Sequence, residues 1–296
     1  MEYFVARTVE EATGLLRSHE NSRPVAGGTD VAVILADVPE YAQALVDIAG
    51  IPRLQGIRTL EGGISIGSAT RIAEIASRTD LPACLSRGAR SIGSPQIRNL
   101  ATIGGNVCNA SPCGDTLAPL IALDALFVLE SGKGTRELRA EEFFVGPKKT
   151  LLRPGEILTE IRIDARHLGG ASAFRMIGKR NGQAISQVNA AIWLIEEEGG
   201  IADFRAAIGS VAPIPLRLAR TEAVLRGRKA GELAMPEILA AVDAEISPIS
   251  DVRAGVEYRR IISGTLFREC LDEALAYAAG NAAAAKNSAA EDRGQP

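Results

Sequence analysis

Apolar positions return every third or fourth residue from Val9 through Ala12 and Thr13 to Leu16, the stripe of a helix lying on a core. Thr8-Val9-Glu10-Glu11 at its head reads as a capping box, and Asn21-Ser22-Arg23-Pro24 ends the pattern. A strand then leads into Ala26-Gly27-Gly28-Thr29-Asp30, an apolar run resumes from Val31 to Leu35, and Ala44-Leu45-Val46-Asp47-Ile48 makes a further short strand. About the first fifty residues therefore describe a small β-α-β unit with a glycine turn inside it.

Alternation takes over between Gly62 and Gly67, where Ile64 and Ile66 face one side of a strand. Thr70 to Arg78 is helical, and Pro82 suits the first turn of another helix, with Leu85, Ala89 and Ile92 in helical register. Thr116 to Ala125 is an apolar helix starting near Asp115, and it tolerates Pro119 because that proline comes early. Leu126 to Glu130 and Ile157 to Ile163 are strands separated by a polar hairpin and a loop holding Pro147 and Pro154.

Glycines cluster between Asp164 and Ser172, which marks a domain boundary. Beyond it, strands Ile185 to Ile195 and Ile201 to Ile208 join at Glu198-Gly199-Gly200, a hairpin signal. A helix from Ala219 to Arg226 stops at Gly227, and Pro236 opens another. A last helix lies within Val252 to Ala278, where Ile262, Leu266, Cys270 and Ala274 recur every fourth residue. Asn281 to Pro296 is Ala-rich and then polar, as expected of a disordered tail. The chain is expected to be α+β, with a first domain at 1–168 (subdomains about 1–55 and 56–168), a second at 169–278 and the tail at 279–296.

Composition narrows the function without naming it. At 296 residues the chain is long enough for two cores, and a net charge of −3 with pI near 5.7 lacks the basic face that nucleic acid requires. No apolar run is long enough to span a bilayer, and Met1 to Arg7 lacks the pattern of a signal peptide, so the cytoplasm is expected. Of the four cysteines, Cys108 and Cys113 show the C-x4-C spacing that opens a plant-type ferredoxin pattern, but the third and fourth cysteines of that pattern are missing. His19 and His167 lie far apart, so no metal site is expected. Ser-Ile-Gly-Ser occurs twice, at 65–68 and 91–94, without forming a repeat.

The chemistry gathers in two glycine loops. One is Ala26-Gly27-Gly28-Thr29-Asp30. The other runs from Asn99-Leu100-Ala101-Thr102-Ile103-Gly104-Gly105-Asn106 through Cys108 and Asn109 to Asp115. Neither G-x-G-x-x-G nor G-x-x-x-x-G-K-[ST] occurs, which excludes the Rossmann and P-loop modes of phosphate binding. Each loop pairs two glycines with a threonine and an Asp or Asn. That composition lets backbone N–H groups and the hydroxyls of Thr29 and Thr102 converge on a pyrophosphate, so the pair is expected to hold one dinucleotide.

Ala26-Gly27-Gly28-Thr29-Asp30 and the run from Pro95-Gln96-Ile97-Arg98 to Gly104-Gly105-Asn106 closely resemble the FAD-binding medium subunit of molybdenum hydroxylases, the group of xanthine dehydrogenase and aerobic carbon monoxide dehydrogenase flavin subunits. The resemblance continues through Asn109-Ala110-Ser111-Pro112, Phe143-Phe144, Thr150-Leu151-Leu152, Glu156-Ile157-Leu158, Ser172-Ala173-Phe174-Arg175 and Tyr258-Arg259-Arg260.

It implies a vanillyl-alcohol-oxidase-type FAD-binding domain of two α/β subdomains with the flavin between them. A C-terminal domain with a three-stranded antiparallel sheet and helices would follow. Carried onto this chain, Arg23, Pro24, Val25, Ala26, Gly27, Gly28, Thr29 and Asp30 would wrap the pyrophosphate, and Ala101, Thr102, Ile103, Gly104, Gly105 and Asn106 would complete the cradle. Asp115 would reach the adenosine or else cap the helix that follows it. Ile92 would lie against the flavin or in a helix core. Leu158 and Arg175 would contact FAD, Arg175 standing where lysine is common in the xanthine dehydrogenase branch.

The implied role is electron transfer within a complex, with no catalytic side chain on this chain. Electrons would come from the [2Fe–2S] clusters of a small subunit, reduced by a molybdenum-cofactor large subunit, and would pass to NAD or a quinone. The assembly would be a dimer of heterotrimers. Two rivals are a self-contained FAD-dependent oxidase of the same fold and a flavin-free assembly module.

Overall fold

The computed structural model describes residues 1–180 and 182–292, with 281–292 described by backbone alone. Its first sheet is parallel: β1 (Glu2–Val5), β2 (Ser22–Val25) and β3 (Ala44–Asp47) lie in the order β1-β3-β2. The helix Val9–Ser18 crosses from β1 to β2 and buries Val9, Ala12, Thr13 and Leu16, the stripe read from the sequence. The Thr8 hydroxyl accepts a hydrogen bond from the Glu11 N–H at 3.1 Å. The return bond of the expected capping box is shifted by one residue, because the Glu11 carboxylate accepts from Arg7 N–H at 2.7 Å.

The second crossover carries the first glycine loop and the helix Val31–Asp37, none of whose residues is buried despite their apolar sequence. A helix of that composition left uncovered is a first sign that something else covers it.

The second sheet is antiparallel throughout. The strands β4 (Ile57–Leu60), β5 (Gly63–Gly67), β6 (Leu126–Ser131) and β7 (Gly134–Arg139) are followed by the small hairpin of β8 (Phe144–Gly146) and β9 (Lys149–Thr150). β10 (Ile157–Asp164) then enters the middle of the sheet, giving the order β4-β5-β10-β6-β7. Five short helices, from Ile72–Ser77 to Leu117–Ala122, are inserted between β5 and β6 and bury Ile72, Ile75, Leu85, Ile103 and Leu117 against this sheet. The register of β10 slips between Leu158 and Glu160. The extra residue, Thr159, is buried and donates its hydroxyl proton to Val128 O and Glu130 Oε1.

The third sheet has four strands where three are expected: β11 (Ala171–Gly178), β12 (Ser186–Glu197), β13 (Gly200–Gly209) and the two-residue β14 (Leu216–Arg217). Glu198 and Gly199 turn the hairpin with φ of 51° and 78°, the positive pair a type I′ turn requires. β12 is buried on both faces. Val188, Ala190, Ile192 and Leu194 pack with Phe267, Leu271 and Ala274 of the last helix, while Ala191 and Trp193 join the core of the second sheet.

That helix, Val256–Asp292, buries Leu266, Cys270 and Ala274 as the four-residue recurrence predicts. Its backbone continues into the stretch read as a tail (281–296), and 293–296 lie outside the described residues. Among the described residues no helix is long and apolar enough to cross a membrane.

Candidate functional site

The two glycine loops touch. Gly28 takes φ +70°, a conformation open to glycine because it has no Cβ. Gly27 lies against the end of the helix Pro95–Leu100, where a Cβ would stand 2.2 Å from the Leu100 carbonyl oxygen and 2.9 Å from the Ala101 Cα. Only glycine permits that approach. The contact makes Arg23 to Asp30 and the residues Ala101, Thr102, Gly105 and Asn106 adjoining walls of one cavity of about 1190 Å³.

Along these walls hydrogen-bond donors converge. Among the described residues, the backbone N–H groups of Gly27, Gly28, Thr29 and Asp30 have no partner. The Thr102 hydroxyl accepts from Gly105 N–H at 3.1 Å as it caps the helix Ile103–Asn109, and this leaves its own proton to donate. Gly105 and Asn106 line the cavity, whereas Gly104 is turned inward with its N–H on Ser68 O at 2.8 Å. A Cβ on Gly104 would stand 2.6 Å from that same Ser68 oxygen.

Apolar and charged ground divide the rest of the lining. Ile92, Ile97 and Leu152, with Leu16, Val31 and Ile34, are apolar, and the cations Arg17, Arg23, Lys148 and Arg153 share the wall with the carboxylates of Glu20, Asp30 and Glu156. The Arg23 guanidinium sits over the Tyr41 ring, 4.9 Å from its centroid. Ile92 departs from the helical register expected of it: the helix Ala83–Ser91 has ended, and Ile92 occupies its C-cap with extended dihedrals. Arg98, from the Gln-Ile-Arg-Asn run, donates to Ile92 O at 2.9 Å and so holds the turn that carries this side chain.

A family model described as the FAD binding domain in molybdopterin dehydrogenase matches residues 1–164, and one described as the CO dehydrogenase flavoprotein C-terminal domain matches residues 172–274. The chain belongs to this flavoprotein family. It is 32% identical over 285 residues to the nicotinate dehydrogenase FAD-subunit of Eubacterium barkeri, covering 92% of this chain and 96% of the relative. It is also 32% identical over 286 residues to the xanthine dehydrogenase FAD-binding subunit of Escherichia coli O157:H7, covering 94% and 97%. Among solved structures, carbon monoxide dehydrogenase from Hydrogenophaga pseudoflava contains a chain that superposes with a TM-score of 0.88 at 31% identity, covering 93% of this chain and 97% of that one.

Not every expected residue of the flavoprotein reaches the cavity. Ile103 is fully buried in the core, and Gly104 packs on Ser68. Leu158 is buried beside the β10 bulge. Arg175 on β11 directs its guanidinium to Glu273 of the last helix, at 2.5 Å, so its charge is met by a carboxylate within the C-terminal part. Asp115 neither lines the cavity nor caps a helix. Thr116 is the cap residue, and the Asp115 carboxylate accepts from Ser186 Oγ at 2.5 Å and Asn189 Nδ2 at 2.9 Å, tying the second glycine segment to β12. Of the two roles the sequence suggests for Asp115, the geometry shows neither.

Sequence reasoning missed Arg17, Tyr41, Lys148 and Arg153, all on the cavity wall. Lys148 arrives there by a long-range turn, with φ +56° and its N–H on Ala110 O, for which no local pattern exists. Among the described residues, no group of three or more His, Cys, Asp and Glu side chains, Cys108 included, is placed to hold a metal ion.

Burial pushes the Asp115 carboxyl up from 3.8 to about 6, outweighing its hydrogen bonds from Ser186 and Asn189. Because the folded value is the higher one, the stabilisation is full below 3.8 and is lost as pH rises through about 6. Asp115→Asn keeps an acceptor oxygen and removes the titration. Its stability should therefore gain on that of the unmodified chain between pH 4 and pH 7, by on the order of 3 kcal/mol. Paired denaturant melts at the two pH values check this, and a pH-independent difference would rule it out.

Proposed function

We propose that this flavoprotein is the FAD-carrying electron-transfer subunit of a multi-subunit molybdenum hydroxylase. The observation that carries the reading is the junction of the two glycine loops on one cavity large enough for a dinucleotide. The donor set fits FAD. The free N–H groups of Gly27 to Asp30, the Thr29 and Thr102 hydroxyls and the Asn106 amide suit a pyrophosphate, and Arg17, Arg23, Lys148 and Arg153 oppose its charge. Ile92, Ile97 and Leu152 supply apolar contact for a ring system, as does the uncovered helix Val31–Asp37 through Val31 and Ile34.

The layout proposed is of the vanillyl-alcohol-oxidase type, with subdomains at about 1–55 and 56–168, the flavin between them, and a C-terminal domain at 169–278. When bound, FAD supplies the ability to take electrons singly and give them up in pairs. The chain's own residues bind and orient it, and none is required as an acid or base. The partners proposed are a [2Fe–2S] small subunit as electron donor and a molybdenum-cofactor large subunit, in a dimer of heterotrimers. NAD or a quinone is the acceptor, and the cytoplasm the compartment. Names of relatives such as the carbon monoxide dehydrogenase medium chain of Hydrogenophaga pseudoflava support the assembly.

The purified chain should show a flavin absorption band that dithionite bleaches and candidate alcohols or purines do not. A colourless chain that takes up no added FAD would overturn the reading, and oxidation of a small molecule by the chain alone would favour the self-contained oxidase.

A further inference from the structure

We infer that Thr116 is a positioning residue for the flavin site and acts through Asn106; this rests on the FAD seat proposed above. Thr116 is fully buried and stands at the cap of the helix Leu117–Ala122, yet its side chain makes no capping bond. A threonine there would ordinarily accept from a backbone N–H of the first turn. Instead its Oγ1 donates across the fold to Asn106 Oδ1, at 2.6 Å. The amide atom facing Thr116 is the oxygen, at a separation typical of O–H···O. The hydroxyl proton has no other acceptor among the described residues, so giving it to Asn106 is the one way it is satisfied.

The consequence falls on the cavity. With Oδ1 engaged, the amide of Asn106 offers its NH₂ group, and the ligand atom it meets must be an acceptor: a phosphate or carbonyl oxygen of FAD. The residue before Thr116 fixes the arrangement from the other side. Asp115 is held by Ser186 and Asn189 of β12, and Asn189 in turn accepts from Gly209 N–H. Among the described residues, the C-terminal part adds nothing to the cavity wall. Through two consecutive residues, one gripping β12 and the other gripping Asn106, it nonetheless sets which atom the wall presents.

The test compares FAD affinity of the FAD-stripped full chain, read by flavin fluorescence quenching, for Thr116→Val, Thr116→Ser and Asn106→Asp. Thr116→Val keeps the shape without the donor and should weaken FAD by roughly tenfold, while Thr116→Ser restores the donor and should bind within about threefold of the unmodified chain. Asn106→Asp keeps an oxygen for Thr116 but places a second, charged oxygen where the NH₂ stood, and should lose roughly a hundredfold.

Wild-type affinity in Asn106→Asp overturns the inference, as does equal loss in Thr116→Val and Thr116→Ser. If Thr116→Val does not fold, Thr116→Ala takes its place as the donor-free variant to set against Thr116→Ser, and Asn106→Asp separately tests the NH₂ group against the ligand. An unmodified chain that binds no FAD would instead refute the seat itself, so the two failures are distinguishable.

Discussion

Gly27→Ala will part the two glycine loops and release FAD. The added Cβ would stand 2.2 Å from the Leu100 oxygen, 2.8 Å from its carbon and 2.9 Å from the Ala101 Cα. All three are backbone atoms, so no rotamer change relieves the overlap. The segment Pro95–Leu100 is fixed in turn, since Ala101 O accepts from Ile72 N–H at 2.9 Å and Arg71 donates to Leu100 O. The first loop must therefore withdraw.

Overpacking of this kind costs about 1–3 kcal/mol in the fold. The larger effect is on the ligand, because donors displaced by even about an ångström no longer converge on one pyrophosphate. FAD affinity should fall by roughly a hundredfold or more, while the ligand-free chain stays folded with a lowered melting temperature. Titration of the apo variant with FAD checks this. Gly27→Ala retaining one tightly held FAD would show that the loop contact does not shape the cavity.

What the sequence makes legible is local. Val9, Ala12, Thr13 and Leu16 declare a helix face because the helix repeat brings them into line, and Glu198-Gly199 declares a hairpin because a two-residue turn needs positive φ. β12 reads as a strand from its near-continuous apolar run, but not as a partition between two cores, since Ala191 and Trp193 face one set of neighbours and Ala190 and Ile192 another. The fourth strand, Leu216–Arg217, is too short to carry a period.

At the site, the glycine pairs are visible and their partners are not. Asp115 looks like a cap or a ligand from its neighbours in sequence, and is claimed by Ser186 and Asn189, 71 and 74 residues away. The run from Val31 to Leu35 reads only as apolar, and it forms a helix with no buried residue whose Val31 and Ile34 line the cavity.

The same distinction separates two neighbouring glycines, and their substitutions should fail in opposite ways. A Cβ on Gly104 would meet the Ser68 Cβ and carbonyl oxygen at 2.6 Å, in a buried place where that oxygen already accepts the Gly104 N–H. Gly104→Val should therefore lose several kcal/mol, through overpacking and loss of a buried backbone hydrogen bond, and accumulate as unfolded or aggregated chain whether or not FAD is supplied.

A Cβ on Gly105 meets only the Thr102 hydroxyl, at 3.0 Å, before it projects toward the cavity that Gly105 lines. Gly105→Val should fold, losing about 1 kcal/mol or less, because valine in a short helix replaces a residue that is itself a poor helix former. Its two methyl groups would occupy the space in which a phosphate meets the wall, and FAD retention should fall by at least about a hundredfold. Circular dichroism melts of the FAD-free chains and the flavin content of the purified ones separate the two effects. A folded Gly105→Val chain with full flavin content would place the phosphates elsewhere, whereas a stable Gly104→Val chain would mean that the contact with Ser68 yields. Loss of fold at 104 together with loss of ligand at 105 is the pattern expected of a helix that presses one glycine into the core and turns the next toward FAD.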